Sequence, residues 1–204
     1  MAPAWLEKFI VRGEPPIPDA RRETDEPILK LQYTDMGDHR RILTIEGGKT
    51  TLYEIKRQAK LGAWGSKCLV TSPVDGDHEV ALIDYHTFHY KIDMLARDHR
   101  IDIRSSKRTY ESSGGLGELH WKGTGMRAYG EASWELRDET SLLLAAEIDN
   151  RQSNGSITLW RNDLDAETVE ELVVVGISQI EEYKRMLRQA KTSAAGVPIN
   201  VAVN

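Results

Sequence analysis

Basic side chains crowd one stretch of this 204-residue chain: Arg97, Arg100, Arg104, Lys107 and Arg108 fall within twelve residues, diluted by Asp98 and Asp102. A second group, Lys56, Arg57 and Lys60, lies close to Trp64. Ser105-Ser-Lys-Arg108 reads as a loop at a strand end, where main-chain donors and cationic side chains can together meet a phosphate head group. Arg104, Lys107 and Arg108 are therefore the first candidate ligand contacts, and Lys56, Arg57 and Lys60 the second. The mixed signs also suit an ordinary solvated barrel exterior.

Other chemistry-bearing residues give weaker patterns. Five of the six histidines fall between His78 and His120. Asp84 and His86 share a strand face, but His89 has the opposite parity, so the set does not converge on one metal ion, and no metal ligands are assigned. Gly48-Lys-Thr50 resembles the end of a phosphate-binding loop, yet Leu43 stands where that loop needs glycine, and a strand-like run follows instead of a helix. Gly114-Gly-Leu-Gly117 lacks dinucleotide-loop spacing. There is no nucleophile elbow around a serine. Cys68, in the apolar run Lys67-Cys-Leu-Val70, reads as a small buried hydrophobe. No catalytic residue and no cofactor are expected.

Composition narrows the class. The net charge of −5 argues against a nucleic-acid partner. No apolar run approaches membrane-spanning length. One cysteine allows neither an internal disulfide nor a thiolate zinc site. Together with the absence of a leader, this favours a cytoplasmic location, with contact at membrane surfaces left open. Asn154-Gly-Ser156 is formally a glycosylation sequon, but Asn-Gly between two strand-like runs reads first as a hairpin turn.

The elements that must position these residues are mostly strands. In Arg100-Ile-Asp-Ile-Arg104 the isoleucines share one face and the charges the other. His89–Met94, Glu118–Lys122 and Gly130–Arg137 alternate likewise. Ile28–Thr34, Arg41–Glu46, Thr51–Arg57, Lys67–Ser72, Glu79–Tyr85, Leu142–Ile148 and Ser156–Arg161 are further candidates, separated by glycine-, proline- and aspartate-rich turns. About eleven short antiparallel strands suggest a barrel or sandwich. The exception is 165–190. Asp165 can cap a helix, acidic residues load its first turns, and Lys184, Arg185 and Arg188 load its last. Its first half, Leu172-Val-Val-Val-Gly-Ile177, is apolar all round and must be enclosed by protein; a closed barrel supplies that. Residues 1–27 read as a lead-in, amphipathic at Trp5–Ile10 and extended after it, and 191–204 as a loose tail.

Gly117-Glu-Leu-His-Trp-Lys122, Trp134-Glu-Leu-Arg137, Ser141-Leu-Leu-Leu-Ala-Ala-Glu147, Ser156-Ile-Thr-Leu159 and the Leu172–Ile177 helix, in that order, resemble the tubby C-terminal fold. That fold is shared by tubby-like proteins, phospholipid scramblases and LURP-one-related proteins, and the chain is most similar to a fungal family of tubby-like domains of unknown function. The resemblance spans roughly 28–190. It implies a mainly β fold, a barrel of about twelve antiparallel strands around one hydrophobic C-terminal helix, and engagement of phosphoinositides or other anionic membrane lipids. The proline-rich extension, cysteine cluster and membrane-spanning end typical of scramblases are missing, so lipid scrambling is not expected. The resulting expectation is a non-enzymatic binding module for an anionic lipid head group or a protein partner. The alternative is a small hydrolase or metal-dependent enzyme using the 78–120 region. An internal carrier is disfavoured because the helix would fill the barrel.

Overall fold

Alternating apolar residues on successive short segments bury one face of each strand, and closure into a barrel leaves no edge unpaired. The computed structural model follows this rule. It describes residues 17–195 except 61–62, 75, 86–88, 105–107 and 125–130. A short helix, α1 (Arg21–Thr24), precedes β1 (Leu29–Gly37), β2 (Arg40–Ile45), β3 (Thr51–Lys60), β4 (Ala63–Ser72), β5 (His78–Tyr85) and β6 (His89–Met94). Then come β7 (His99–Arg104), β8 (Thr109–Glu111), β9 (Glu118–Gly123), β10 (Ala132–Arg137), β11 (Leu142–Ile148), β12 (Asn154–Leu159) and the long helix α2 (Ala166–Ala195).

Each strand pairs antiparallel with its neighbours in sequence, and β12 returns to β1, with Leu29 opposite Leu159 and Tyr33 opposite Gly155. Among the described residues the ladder is thinnest at β7–β8, where Arg104 opposite Thr109 is the one aligned pair. The mainly β fold is as expected. β8 is the strand that periodicity missed, since three residues are too few to show a period. The Asn154-Gly155 pair is not the hairpin turn that the sequence suggests. Both residues belong to β12. The turn is formed upstream, where the Asp149 carboxylate accepts from Ser153 N at 2.8 Å and Asn154 Nδ2 at 3.3 Å.

The helix runs through the barrel. Leu172, Val173, Val174, Val175 and Ile177 are wholly buried, as an all-round apolar segment requires. Asp165 caps the helix, its Oδ1 accepting from Thr168 N at 2.7 Å. Gly176 lies against β11 and β12: a Cβ there would meet Ile157 Cγ2 at 3.1 Å and Leu144 Cδ2 at 3.4 Å. Two turns on, Tyr183 sets its ring edge-on to Trp134, with centroids 5.1 Å apart. Opposite, Tyr85 OH of β5 donates to the Ser178 carbonyl at 3.1 Å.

The segment before β1 is seated on the outside of the barrel. Asp19 N donates to Glu135 at 2.8 Å, and the Arg22 guanidinium reaches Ser133 and Glu147. This explains why Glu135 is fully buried although strand parity points it outward. Leu143 and Ala145 on the same outer wall are buried too. The Trp5–Ile10 turn and the tail beyond Ala195 lie outside the described residues.

Gly176→Val should cost about 1–3 kcal/mol by overpacking against Ile157 and Leu144, more than the change in helix propensity returns. Denaturant unfolding measures this. An unchanged midpoint and slope would mean that the helix does not approach the wall so closely.

Candidate functional site

Alternation decides which charged side chains enter the barrel. Ile55 faces inward, so Arg57, two residues on, does too. Leu43 brings Arg41 inward in the same way. Both guanidiniums converge on Glu181 of α2. Arg57 Nη2 lies 3.1 Å from Glu181 Oε2 and Arg41 Nε 3.3 Å from Oε1, and the Tyr33 hydroxyl donates to Oε1. One turn further, Lys184 Nζ lies 2.7 Å from Asp35 Oδ2 and donates to Tyr33 OH at 3.0 Å. Glu181, Arg41 and Lys184 are no more than 1% exposed.

Such burial is costly for a lone charge, so the partners set the ionisation. Burial alone would push the Glu181 carboxyl up. Arg41, Lys184, Arg57 and the Tyr33 hydroxyl outweigh it and hold the group below the ordinary glutamate range. Burial, then the Glu181 charge, pushes Tyr33 well above the usual phenol value. Cys68, on the adjacent strand, is raised to about 12 by burial first and Glu181 second. A thiol held protonated in this way is no nucleophile. A second buried carboxylate, Glu171, accepts from Ser112 Oγ at 2.9 Å and Ser113 N at 3.3 Å, joining the β8–β9 loop to the helix.

The basic residues singled out in the sequence do not form one cluster. Arg97, in the β6–β7 turn, binds Glu170 of α2 at 3.2 Å and belongs to the end where the helix enters. Arg108 lies at the other end of β7, about 17 Å away for a strand of that length. Arg100 pairs with Asp93 on the outer wall. Lys56 is exposed and holds Glu54 at 2.9 Å. Arg57 is not part of any outward patch. Arg104 belongs to β7 and Lys60 to β3, but their side chains, and all of Lys107, lie outside the described residues.

Along the outer wall of β2–β7, further cations face carboxylates across the strands: Arg40 with Glu54, Lys67 with Asp84, Lys91 with Asp102. Exposed pairs of this kind contribute about 0–1 kcal/mol each, but they neutralise the wall. Among the described residues no three His, Cys, Asp or Glu side chains are grouped to hold a metal. His86 is outside that set, as is the His89 side chain. Gly48-Lys-Thr50 forms the β2–β3 turn, with a strand after it.

One recess remains. It lies where the helix leaves the barrel, between the α2 face of Gln179, Glu182 and Met186 and the strand residues Tyr90 and Trp121 with Arg108 of the turn before β8, and has a volume of about 30 Å³. That is room for one or two waters. Arg108 sits beside it in a left-handed conformation, φ 55°, and burial lowers its pKa, with the Tyr90 hydroxyl and Glu182 opposing.

Glu181→Gln keeps the shape and removes the charge. Because the folded carboxyl titrates below its unfolded value near 4.5, its contribution is complete above that value and is lost as pH falls through the lower folded value. The variant should be destabilised by about 3–5 kcal/mol at neutral pH, the scale for breaking a buried pair, and the gap to the native chain should close in acid. Urea titrations across the acid limb check this. A gap that stayed constant with pH would show that the negative charge is not what is missing.

No family model matches the chain, and no curated protein or solved structure matches it either.

Proposed function

We propose that the protein is a non-enzymatic, tubby-like binding module that meets an anionic membrane surface at the helix-exit end of its barrel. In this reading Arg104, Lys107 and Arg108 contact phosphate, and Lys60 on the β3–β4 hairpin assists, whereas Lys56 is held by Glu54. The observation that carries it is the filled interior. α2 and its ion cluster occupy the barrel, with Leu172, Val174 and Glu181 wholly buried, and recognition falls to the outside. The outer wall of β2–β7 is poorly suited, because its cations already face carboxylates. The β7–β8 end differs: Ser105-Ser-Lys-Arg108 holds two cations and no carboxylate. The order of twelve antiparallel strands and one enclosed C-terminal helix supports the tubby-like reading. Among the described residues no helix is long and apolar enough to cross a membrane, which fits attachment from one side.

Flotation with neutral and phosphoinositide-containing vesicles, at low and physiological salt, tests this. Binding should be confined to anionic vesicles and weaken with salt. Arg104→Glu with Lys107→Glu should reduce it roughly thirtyfold or more, since each cation near an anionic surface contributes about 1 kcal/mol. Arg108 is kept in place because its half-buried position serves the fold. Binding that ignores vesicle charge, or survives the double reversal, would overturn the assignment, and no binding at either salt would turn the search to protein partners.

A further inference from the structure

The outer wall of β10 and β11 receives the chain's own N-terminal arm, residues 17–27. Glu135, Leu143 and Ala145 point away from the helix there, yet each is no more than 1% exposed. Arg22 anchors the arm. Its guanidinium donates to Ser133 Oγ at 3.1 Å and Thr124 Oγ1 at 3.3 Å, lies 3.5 Å from Glu135 Oε1 and pairs with Glu147. Asp19 Oδ2 lies 2.8 Å from Arg137 Nη1. At the arm's two ends, Lys122 Nζ donates to the Ile17 carbonyl at 3.4 Å and the Trp160 indole to the Asp25 carbonyl at 3.3 Å.

The arm itself adds nothing to the core. None of the four residues of α1 is buried, and Ile17 is 85% exposed. A segment held by polar contacts at the surface opens without unfolding what lies beneath it. The arm joins the barrel through Asp25, Glu26 and Pro27. The two acids are exposed, and proline has no amide hydrogen to tie the link down. The barrel's own pairing starts directly after, where Ile28 N donates to the Leu159 carbonyl at 2.9 Å. A short exposed link between a complete barrel and a separately seated arm is the arrangement that lets identical elements change places between molecules.

We propose that this wall docks the arm of a second copy of the chain as well as its own, so that two molecules exchange arms about a twofold axis. The wall is matched to an aspartate and an arginine three residues apart, and a second copy presents that pair at the same spacing. Exchange preserves every contact of the seated arm and needs no new one. The chain's own arm competes at an effective concentration on the order of millimolar, so dilute chains close on themselves and crowded ones exchange. This surface is independent of the membrane reading, which uses the β7–β8 end.

The test uses two full-length variants, each of which spoils one half of the contact. Arg22→Glu disables the arm and leaves the wall. Glu147→Lys disables the wall and leaves the arm; the Glu147 side chain is 44% exposed, so the fold does not rest on it. In sedimentation velocity, a 1:1 mixture should form at least tenfold more heterodimer than either variant forms alone at the same total concentration, because only the mixture offers an intact arm to an intact wall. The ¹⁵N indole signal of Trp160, identified by Trp160→Phe, reports whether the arm is seated. It should move in Arg22→Glu and return toward its native position when unlabelled Glu147→Lys chain is added. Arg22→Ala takes the place of Arg22→Glu if the reversed charge beside Glu135 prevents folding. Folded variants that stay monomeric when mixed, self-association of either variant equal to that of the mixture, or a heterodimer that leaves the Trp160 signal unrestored would each overturn the proposal.

Discussion

The Glu181 carboxylate, held inside the barrel between Arg41 and Arg57, is the constraint on which the rest of the structure turns. An apolar helix in an apolar barrel has little to fix its rotation or depth, because dispersion contacts are numerous but undirected. A slip of one residue along the axis moves a side chain by about 1.5 Å and turns it by about 100°. Either displacement would pull the fully buried Glu181 carboxylate from both guanidiniums. Lys184 repeats the constraint one turn on, through Asp35 and Tyr33 of β1. Such a cluster gains little stability over a well-packed apolar core, but any loosened arrangement is severely penalised. The helix is thereby placed relative to β1, β2 and β3, and Gly176 then brings it against β11 and β12.

Filling the barrel in this way separates structure from recognition. The interior carries reactive residue types, a thiol, phenols, carboxylates and guanidiniums, but the ion cluster uses its charges on itself, and the Cys68 thiol is pushed far from its reactive form. The wall of β2–β7 is likewise self-neutralised by cross-strand pairs. The outer wall of β10–β11 is occupied by the protein's own N-terminal segment, which lays Asp19 and Arg22 against Glu135, Arg137 and Glu147. The two barrel ends differ from these walls and from each other. At the entry end, Arg97 and Ser112–Ser113 are committed to the first turns of α2. At the exit end, polar groups remain around the helix as it leaves.

Much of the scaffold was legible because it depends on local pattern. The period of two in Arg100–Arg104 and Gly130–Arg137 placed Ile101, Ile103, Trp134 and Leu136 inside, where they are buried. The all-round apolar run Leu172–Ile177 required an enclosing shell, and Asp165 marked where the helix begins. The charged residues were less legible, because composition and parity give opposite readings of them. Arg57 looks like a surface cation by charge, but its spacing from Ile55 puts it inside. Lys184 looks like a favourable charge for a helix end, yet it is buried beside Tyr33, 151 residues away in sequence. Partners separated by more than a hundred residues leave no mark in a local window, so the pairing of Arg57 with Glu181 was out of reach even where its inward direction was not. Asn154-Gly155 failed for a related reason: the turn chemistry belongs to the Asp149 side chain, not to the dipeptide that usually signals a hairpin.

The exit end joins these two halves of the argument. Arg108 was chosen for its charge and its place in a loop, and both are retained, but its surroundings add what the sequence could not show. Gln179, Glu182 and Met186 reach the recess because Glu181 and Lys184, on the adjoining face of the same helix, fix its rotation. With i, i+3 and i+7 spacing these three share one stripe, and that stripe faces β6, β7 and β9 only in the register that the buried cluster dictates. The Gln179 side chain beside the recess is therefore not free to relax by a small turn of the helix. Any rotation that would carry it to solvent would strip Glu181 of its guanidiniums. The same interaction that holds the helix in the barrel also holds a polar side chain against the recess.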